Sequence, residues 1–400
     1  MSKNCCFSPA DILLPRNGFE KWSVIACDQY TSEPEYWKSA EQFVGEAPSA
    51  LKIILPEAYL EKDNQERIEK VNAKMLEYLS CDLLEKHENA MFYIERTQSD
   101  GKVRRGIIGK IDLECYDYRK GAASAIRATE ETVLERIPPR VKIRENAPLE
   151  LPHVMLLIDD PEKTVIEPIA SNSDSFSAVY DFELMLGGGH IKGWKLDDSG
   201  CEAVVNALTR LEEENGGLLF CVGDGNHSLA SAKACYEKEP NDKNRYALAE
   251  FVNIHDTALE FEPIYRVVFG AEPNALIDAF IKKSGGEYTG ADAQKYTCIF
   301  GDCSHEISVA PHSKLCVGTL QSFLDGYIKE HPEVKIDYIH GIDSVKKLCS
   351  KDNAVGFIFE GMQKSELFGA VMGDGSLPRK TFSMGHADDK RFYLEARKIK

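Results

Sequence analysis

No stretch of this chain approaches the roughly 20 consecutive apolar residues that a membrane-spanning helix needs. Near its start Lys3, Asp11, Arg16 and Glu20 interrupt every apolar run, so a signal peptide is not expected either. Basic residues are short: 48 Lys and Arg stand against 65 Asp and Glu, a net charge of −17. That deficit argues against sequence-blind binding of nucleic acid and against docking on anionic lipid. It leaves room for a local basic pocket that takes one small phosphorylated ligand. The 12 cysteines include no C-x-x-C and no Cys/His group at zinc-ligand spacing. They read as reduced, mostly buried thiols of a cytoplasmic protein. There is also no G-x-x-x-x-G-K-[ST] loop, no Rossmann glycine fingerprint, no long-period repeat and no low-complexity linker.

What is present is ordinary globular material, 43% hydrophobic and 28% charged over 400 residues. At about 150 residues per domain this predicts two or three domains. Trp22–Cys27 reads as a buried strand ending at Asp28, and Glu33-Pro34-Glu35 opens a helix. Ile68, Val71, Met75, Tyr78 and Leu79 recur at helical spacing between Asn64 and Leu84. Strands are expected at Ala90–Ile94 and Val103–Leu113 around a Ser99-Asp100-Gly101 turn, and at His153–Ile158. Thr129–Arg136 reads as a helix stopped by Pro138-Pro139, and Ser199 as the cap of a helix running to Glu214. Later helices are expected near 273–283, 318–330 and 342–350, with strands at Val334–Ile339 and Ala354–Phe359. The irregular alternation predicts an α+β (mixed α/β) fold with mixed β-sheets and helices around them. Composition marks cuts near 150 and 240. The expected parts are 1–150, contributing to the site, 151–240, carrying the core, and 241–400, a C-terminal α/β part.

The segment Leu218–Ala234 concentrates the chemistry. Leu218–Val222 delivers a buried strand, Gly223 and Gly225 permit a sharp turn, and a helix follows at once. Strand, turn and helix start together aim free amides and a positive dipole end at one point, which suits an anion, most often phosphate. Asp224 can take a metal or a hydroxyl proton there. His227 can serve as acid, base or charged phosphate partner, while Asn226 and Ser228 add polar groups. The plainer reading of Asp224 and Asn226 is turn and cap residues. Asp28, directly after an apolar run, is a second catalytic candidate, with a capping role about as natural. Arg127, followed by Arg136, Arg140 and Arg144, gathers guanidinium charge that can bind phosphate or decorate a solvated helix. Gly187-Gly188-Gly189 reads as a hairpin tip, Gly373-Asp374-Gly375 as a turn, and Arg379-Lys380 as a further basic spot.

Strand–Gly-Asp-Gly-Asn-His–helix resembles the Asp-Gly-His-His-Arg loop of the domain-of-unknown-function 1015 family. Ala26-Cys27-Asp28-Gln29-Tyr30 sits where that family shows Pro-Pro-Tyr-Asp-Val. Arg105-Gly106 to Arg140 and Leu377–Phe382 also fit, so the resemblance spans nearly the whole chain. More distantly the loop is similar to that of the ParB/sulfiredoxin-like superfamily, which includes sulfiredoxin, nucleotide hydrolases and a free-serine kinase. The resemblance implies ATP or ADP with Mg²⁺, its phosphates on Gly223, Gly225, Asn226, His227 and Ser228. It further implies phosphoryl transfer to a small metabolite such as serine, with Asp28 or Asp224 as base. Asn226 replaces a His of the family loop and Ser228 its Arg, so Arg127, Arg379 or Lys380 would supply the missing cation. The competing readings are a phosphatase for a small phosphorylated metabolite and a non-catalytic nucleotide or phosphate sensor. Neither a nucleic acid nor a membrane is expected as partner, and the oligomeric state is left open.

Overall fold

The computed structural model describes residues 5–31, 33–59, 64–350, 353–385 and 387–400. The chain divides into two compact units, one of Met1–Ala128, Thr132–Leu259 and His386–Lys400, the other of Thr129–Glu131 and Glu260–Gly385.

The larger unit is built on a ten-stranded mixed sheet. Its order runs Ser177–Glu183, His190–Lys195, Phe92–Thr97, Val103–Asp112, Tyr246–Asn253, Met155–Ile158, Phe220–Asp224, Ile126–Ala128, Tyr116–Asp117, with Phe7–Ser8 pairing against Val103–Asp112. Strands from all three sequence stretches, 1–150, 151–240 and 241–400, thus join one sheet. Most pairs are antiparallel, but Met155–Ile158 runs parallel to Tyr246–Asn253, and Ile126–Ala128 parallel to both Phe220–Asp224 and Tyr116–Asp117. Both faces of the central strands are covered: Met155–Ile158 is wholly apolar and buried, and Tyr246–Asn253 is buried from Ala247 on, with Glu250 and Asn253 its polar members. Leu156, Ile158, Phe220 and Val222 pack on one face with Leu229 and Ala232 of helix Asn226–Lys238 and Val204 and Leu208 of helix Asp198–Glu214. Phe92, Ile94, Ile108 and Leu248 pack on the other with Trp22, Trp37, Tyr78 and the C-terminal Phe392, Tyr393 and Leu394.

The smaller unit carries a six-stranded antiparallel sheet in the order Cys303–Val309, Gln294–Phe300, Ala354–Phe359, Phe261–Phe269, Lys335–His340, with Phe382–Met384 also pairing with Phe261–Phe269. Helices Pro273–Lys283, Cys316–Glu330 and Ile342–Cys349 contribute to its core. The fold is therefore mixed α/β, as the irregular alternation of elements predicts.

Several local expectations shift. The residues expected to form a helix at Thr129–Arg136 instead follow the strand Ile126–Ala128, and the helix is Ile137–Arg144. Pro138 and Pro139 sit in its first turn, where an N–H would have no intrahelical acceptor, so they start this helix rather than stop one. The cap expected at Ser199 is Asp197, whose carboxylate accepts the Gly200 N–H at 2.7 Å. All twelve cysteines are free thiols, and only Cys81 and Cys303 are exposed. Among the described residues no helix is long and apolar enough to cross a membrane.

Candidate functional site

The strand Phe220–Asp224 is buried between Met155–Ile158 and Ile126–Ala128. An irregularity between Met155 and Leu156 sets Asp224 opposite Met155 while Val222 stays opposite Leu156. Gly225 then turns the chain with φ 81° and ψ 24°. A Cβ there would meet the Val154 Cα at 3.1 Å as well as a left-handed backbone, so two constraints select glycine. Helix Asn226–Lys238 begins at the next residue.

Within this turn the Asp224 carboxylate accepts the Gly225 N–H at 2.8 Å and lies 3.4 Å from the Lys390 ammonium. The first acceptor-bonded amide of the helix is that of Leu229, which donates to the Gly225 carbonyl. Among the described residues the amides of Asn226, His227 and Ser228 meet no acceptor, the ordinary state of a helix start awaiting a cap or an anion. The Asn226 Oδ1 is buried without a donor, and so is the Thr132 Oγ1. Buried oxygens of this kind are uncommon unless water or a ligand completes them. Thr132 precedes Val133, whose N–H donates to His227 Nε2 at 3.3 Å. The imidazole thus accepts at Nε2 and carries its proton on Nδ1. Burial, then Arg140 and Arg136, push the His227 pKa down to about 4, against a smaller opposing pull from Asp28. At neutral pH this histidine is an uncharged donor rather than a charged phosphate partner. Arg140 extends from helix Ile137–Arg144, which packs on helix Asn226–Lys238, and pairs with Glu57.

Asp28 lies in the turn just after the two-residue strand Val24–Ile25, which pairs with Phe392–Tyr393. Its carboxylate accepts the Gln29 amide at 3.1 Å and faces His153 Nε2 at 3.7 Å. Burial would raise its pKa, but the facing His153, the Gln29 amide and Lys390 outweigh burial and hold it below the ordinary carboxylate value. Asp28 is therefore an ionised carboxylate within electrostatic reach of His227 and Lys390, and Lys390 pairs with Asp224.

The structure thus brings Asp28, Asp224, Gly225, Asn226 and His227 into one neighbourhood of the larger unit. Gly223 is the penultimate residue of the strand, and Ser228 lies half-buried in the first helical turn. Arg127 takes a different course. It sits opposite Cys221 in register and its guanidinium donates back to the Ser124 carbonyl at 2.9 Å. The cations acting on His227 are Arg136 and Arg140. Arg379 and Lys380 belong to the smaller unit, where Arg379 donates to the Tyr338 hydroxyl at 2.8 Å and both cations lie over the Tyr338 ring. Sequence reasoning missed His153, Lys390 and Tyr393. Only His153 left a trace, as a polar residue at the head of an apolar strand. Among the described residues no three His, Cys, Asp or Glu side chains form a metal-holding group.

The profile of one protein family, described as "Protein of unknown function (DUF1015)", matches residues 10–396. No curated protein matches the chain. Among solved structures, the chain is similar to free serine kinase in complex with AMP, at TM-score 0.40 and 10% identity, covering 75% of this chain and 92% of that one. A conserved hypothetical protein from Pyrococcus furiosus gives TM-score 0.38 and 13% identity, covering 75% and 96%. A C-terminally truncated SbnI from Staphylococcus aureus gives TM-score 0.38 and 11% identity, covering 70% and 82%.

Proposed function

From the premise that the chain belongs to the DUF1015 family, a family of unknown function, we propose that it transfers a phosphoryl group from a nucleotide to the hydroxyl of a small metabolite, free serine being the first acceptor to try. The observation that carries this reading is the start of helix Asn226–Lys238. Acceptor-free amides stand there beside Arg136 and Arg140, within electrostatic reach of an ionised carboxylate on Asp28.

The donor set fits nucleotide phosphates: backbone N–H groups, the Asn226 side chain, the neutral His227 and nearby guanidinium charge. ATP or ADP, when bound, supplies the transferable phosphoryl group. The described residues supply no ready-made cage for Mg²⁺. The protein's part is positioning and charge neutralisation. The amides of Asn226–Ser228 hold the phosphate oxygens in place. Asp28 takes the proton of the acceptor hydroxyl as the acceptor oxygen bonds to phosphorus. The phosphorus–oxygen bond to the nucleotide breaks, and its electron pair leaves with the shortened nucleotide.

The test is a thermal-shift and calorimetric screen of ATP, ADP and AMP with and without Mg²⁺, followed by phosphate transfer to a panel of amino acids and small hydroxy acids. His227→Ala is expected to weaken nucleotide binding and turnover together. Asp28→Asn is expected to lower turnover by about 10²–10⁴-fold with binding kept. A wild-type protein that binds no nucleotide and transfers to nothing in the panel overturns the reading. Release of phosphate from phosphoserine by the wild type replaces it with a phosphatase using the same anion site.

A further inference from the structure

We propose that His153 is a positioning residue that ties the Asp28 carboxylate to the Gly225 turn and is itself pinned by Tyr393 and Cys27; this rests on reading Asp28 as the base. His153 is 7% exposed and precedes the central strand Met155–Ile158, so its backbone is anchored in the sheet. Its ring touches three things. Nε2 faces Asp28 Oδ2 at 3.7 Å, within ion-pair reach but too long for a direct hydrogen bond. Cδ2 lies 3.5 Å from the place a Gly225 Cβ would take, so the ring edge packs on the bare turn. Nδ1 is 2.8 Å from the Tyr393 hydroxyl.

Tyr393 in turn is fixed by strand pairing, with Phe392–Tyr393 set against Val24–Ile25, two residues before Cys27. Its hydroxyl oxygen accepts the Cys27 N–H at 3.3 Å and lies 3.0 Å from the Cys27 Sγ. Burial pushes the Cys27 thiol up to about 12, so it stays protonated and inert. The result is a chain from Cys27 through Tyr393 and His153 to Asp28, its two middle members buried and its two ends in the turn after Val24–Ile25. The groups facing Asp28 are His153, Gln29 and Lys390, with Cys27, Tyr393 and His227 within electrostatic reach, and Lys390 is shared with Asp224. Removing the imidazole leaves Lys390 as the main cation beside the carboxylate and frees the Asp28 loop from the turn that holds the phosphate.

The experiment uses ligand-free, full-length protein, so its outcome does not depend on any nucleotide being bound. The Asp28 carboxyl is titrated by ¹³C NMR in wild type and His153→Gln, and the His153 ring nitrogens are followed by ¹⁵N NMR in wild type, Tyr393→Phe and Asp28→Asn. The expected result is a rise of about one pH unit in the Asp28 midpoint in His153→Gln, a tenfold change in its proton affinity. The His153 nitrogen signals are expected to move in both other variants. A histidine that merely fills space would leave the Asp28 midpoint where it is. An unchanged midpoint in a folded His153→Gln, or His153 signals indifferent to Asp28→Asn and Tyr393→Phe, overturns the proposal. These last two variants are near-isosteric and keep the test open if His153→Gln does not fold. If the coupling holds but no nucleotide binds, it is the phosphoryl-transfer reading that fails.

Discussion

The His227 imidazole is held at a pKa of about 4 by burial and by Arg140 and Arg136, against 6.5 in the unfolded chain. As pH falls, the unfolded chain therefore takes up this proton first. Stability is undiminished above about pH 6.5 and falls progressively towards pH 4. His227→Gln is expected to flatten that part of the curve, measured as the difference between urea midpoints at pH 7 and pH 5. Inorganic phosphate, by contributing negative charge beside the ring, is expected to raise the His227 midpoint in a proton NMR titration. Gly225 is the neighbouring test. Alanine there meets the Val154 backbone at 3.1 Å with φ at +81°. A loss of about 1–3 kcal/mol in chemical denaturation is expected, together with loss of anion binding. These residues were legible in the sequence because strand, glycine turn and helix start are contiguous, and contiguous residues share a neighbourhood whatever the rest of the fold does. Which arginine serves them was not legible. Arg127 donates to the Ser124 carbonyl, whereas Arg136 and Arg140 flank the start of a helix whose boundary depends on how two prolines are used.

The C-terminal segment binds the larger unit together through buried charge. Arg391 donates to Glu250 at 2.8 Å, to Glu395 at 2.7 Å and to the carbonyls of Pro152 and Phe392, and all three ionic side chains are buried. Arg391→Met removes the cation and leaves two buried carboxylates short of a partner. The expected cost is about 3–5 kcal/mol in chemical denaturation, since a stranded buried charge costs more than the intact pair contributes. The same segment places Lys390 beside Asp224 and Tyr393 beside His153. None of this shows in local periodicity. Two-residue strands such as Phe392–Tyr393 and Val24–Ile25 are stable only as partners of each other, across more than three hundred residues of chain. By contrast, the helix Pro34–Val44, the strand Met155–Ile158 and the late strands Lys335–His340 and Ala354–Phe359 were readable, because each carries its own cap, apolar run or flanking turn residues.

At the scale of the whole molecule, a net charge of −17 predicts that duplex DNA is not retained in a gel-shift or filter assay even at about 50 mM salt, where non-specific phosphate binding is strongest. Retention there would overturn the picture of a protein that reserves its cations for one small anion. The amino-acid sequence by itself determined the class: mixed α/β, with central strands apolar enough to be buried on both faces and one strand–turn–helix joint whose glycines permit a sharp turn. Those properties follow from composition, apolar period and backbone sterics, which act over a few residues. Only the tertiary structure decided that Asp28, His153, Asp224, Lys390 and Tyr393 meet. Their positions depend on strand order, on the irregularity that turns Asp224 towards Met155, and on the return of the C-terminus to pair with Val24–Ile25. Such long-range pairings are selected by the burial of the two cores as wholes, so no local stretch of sequence carries them.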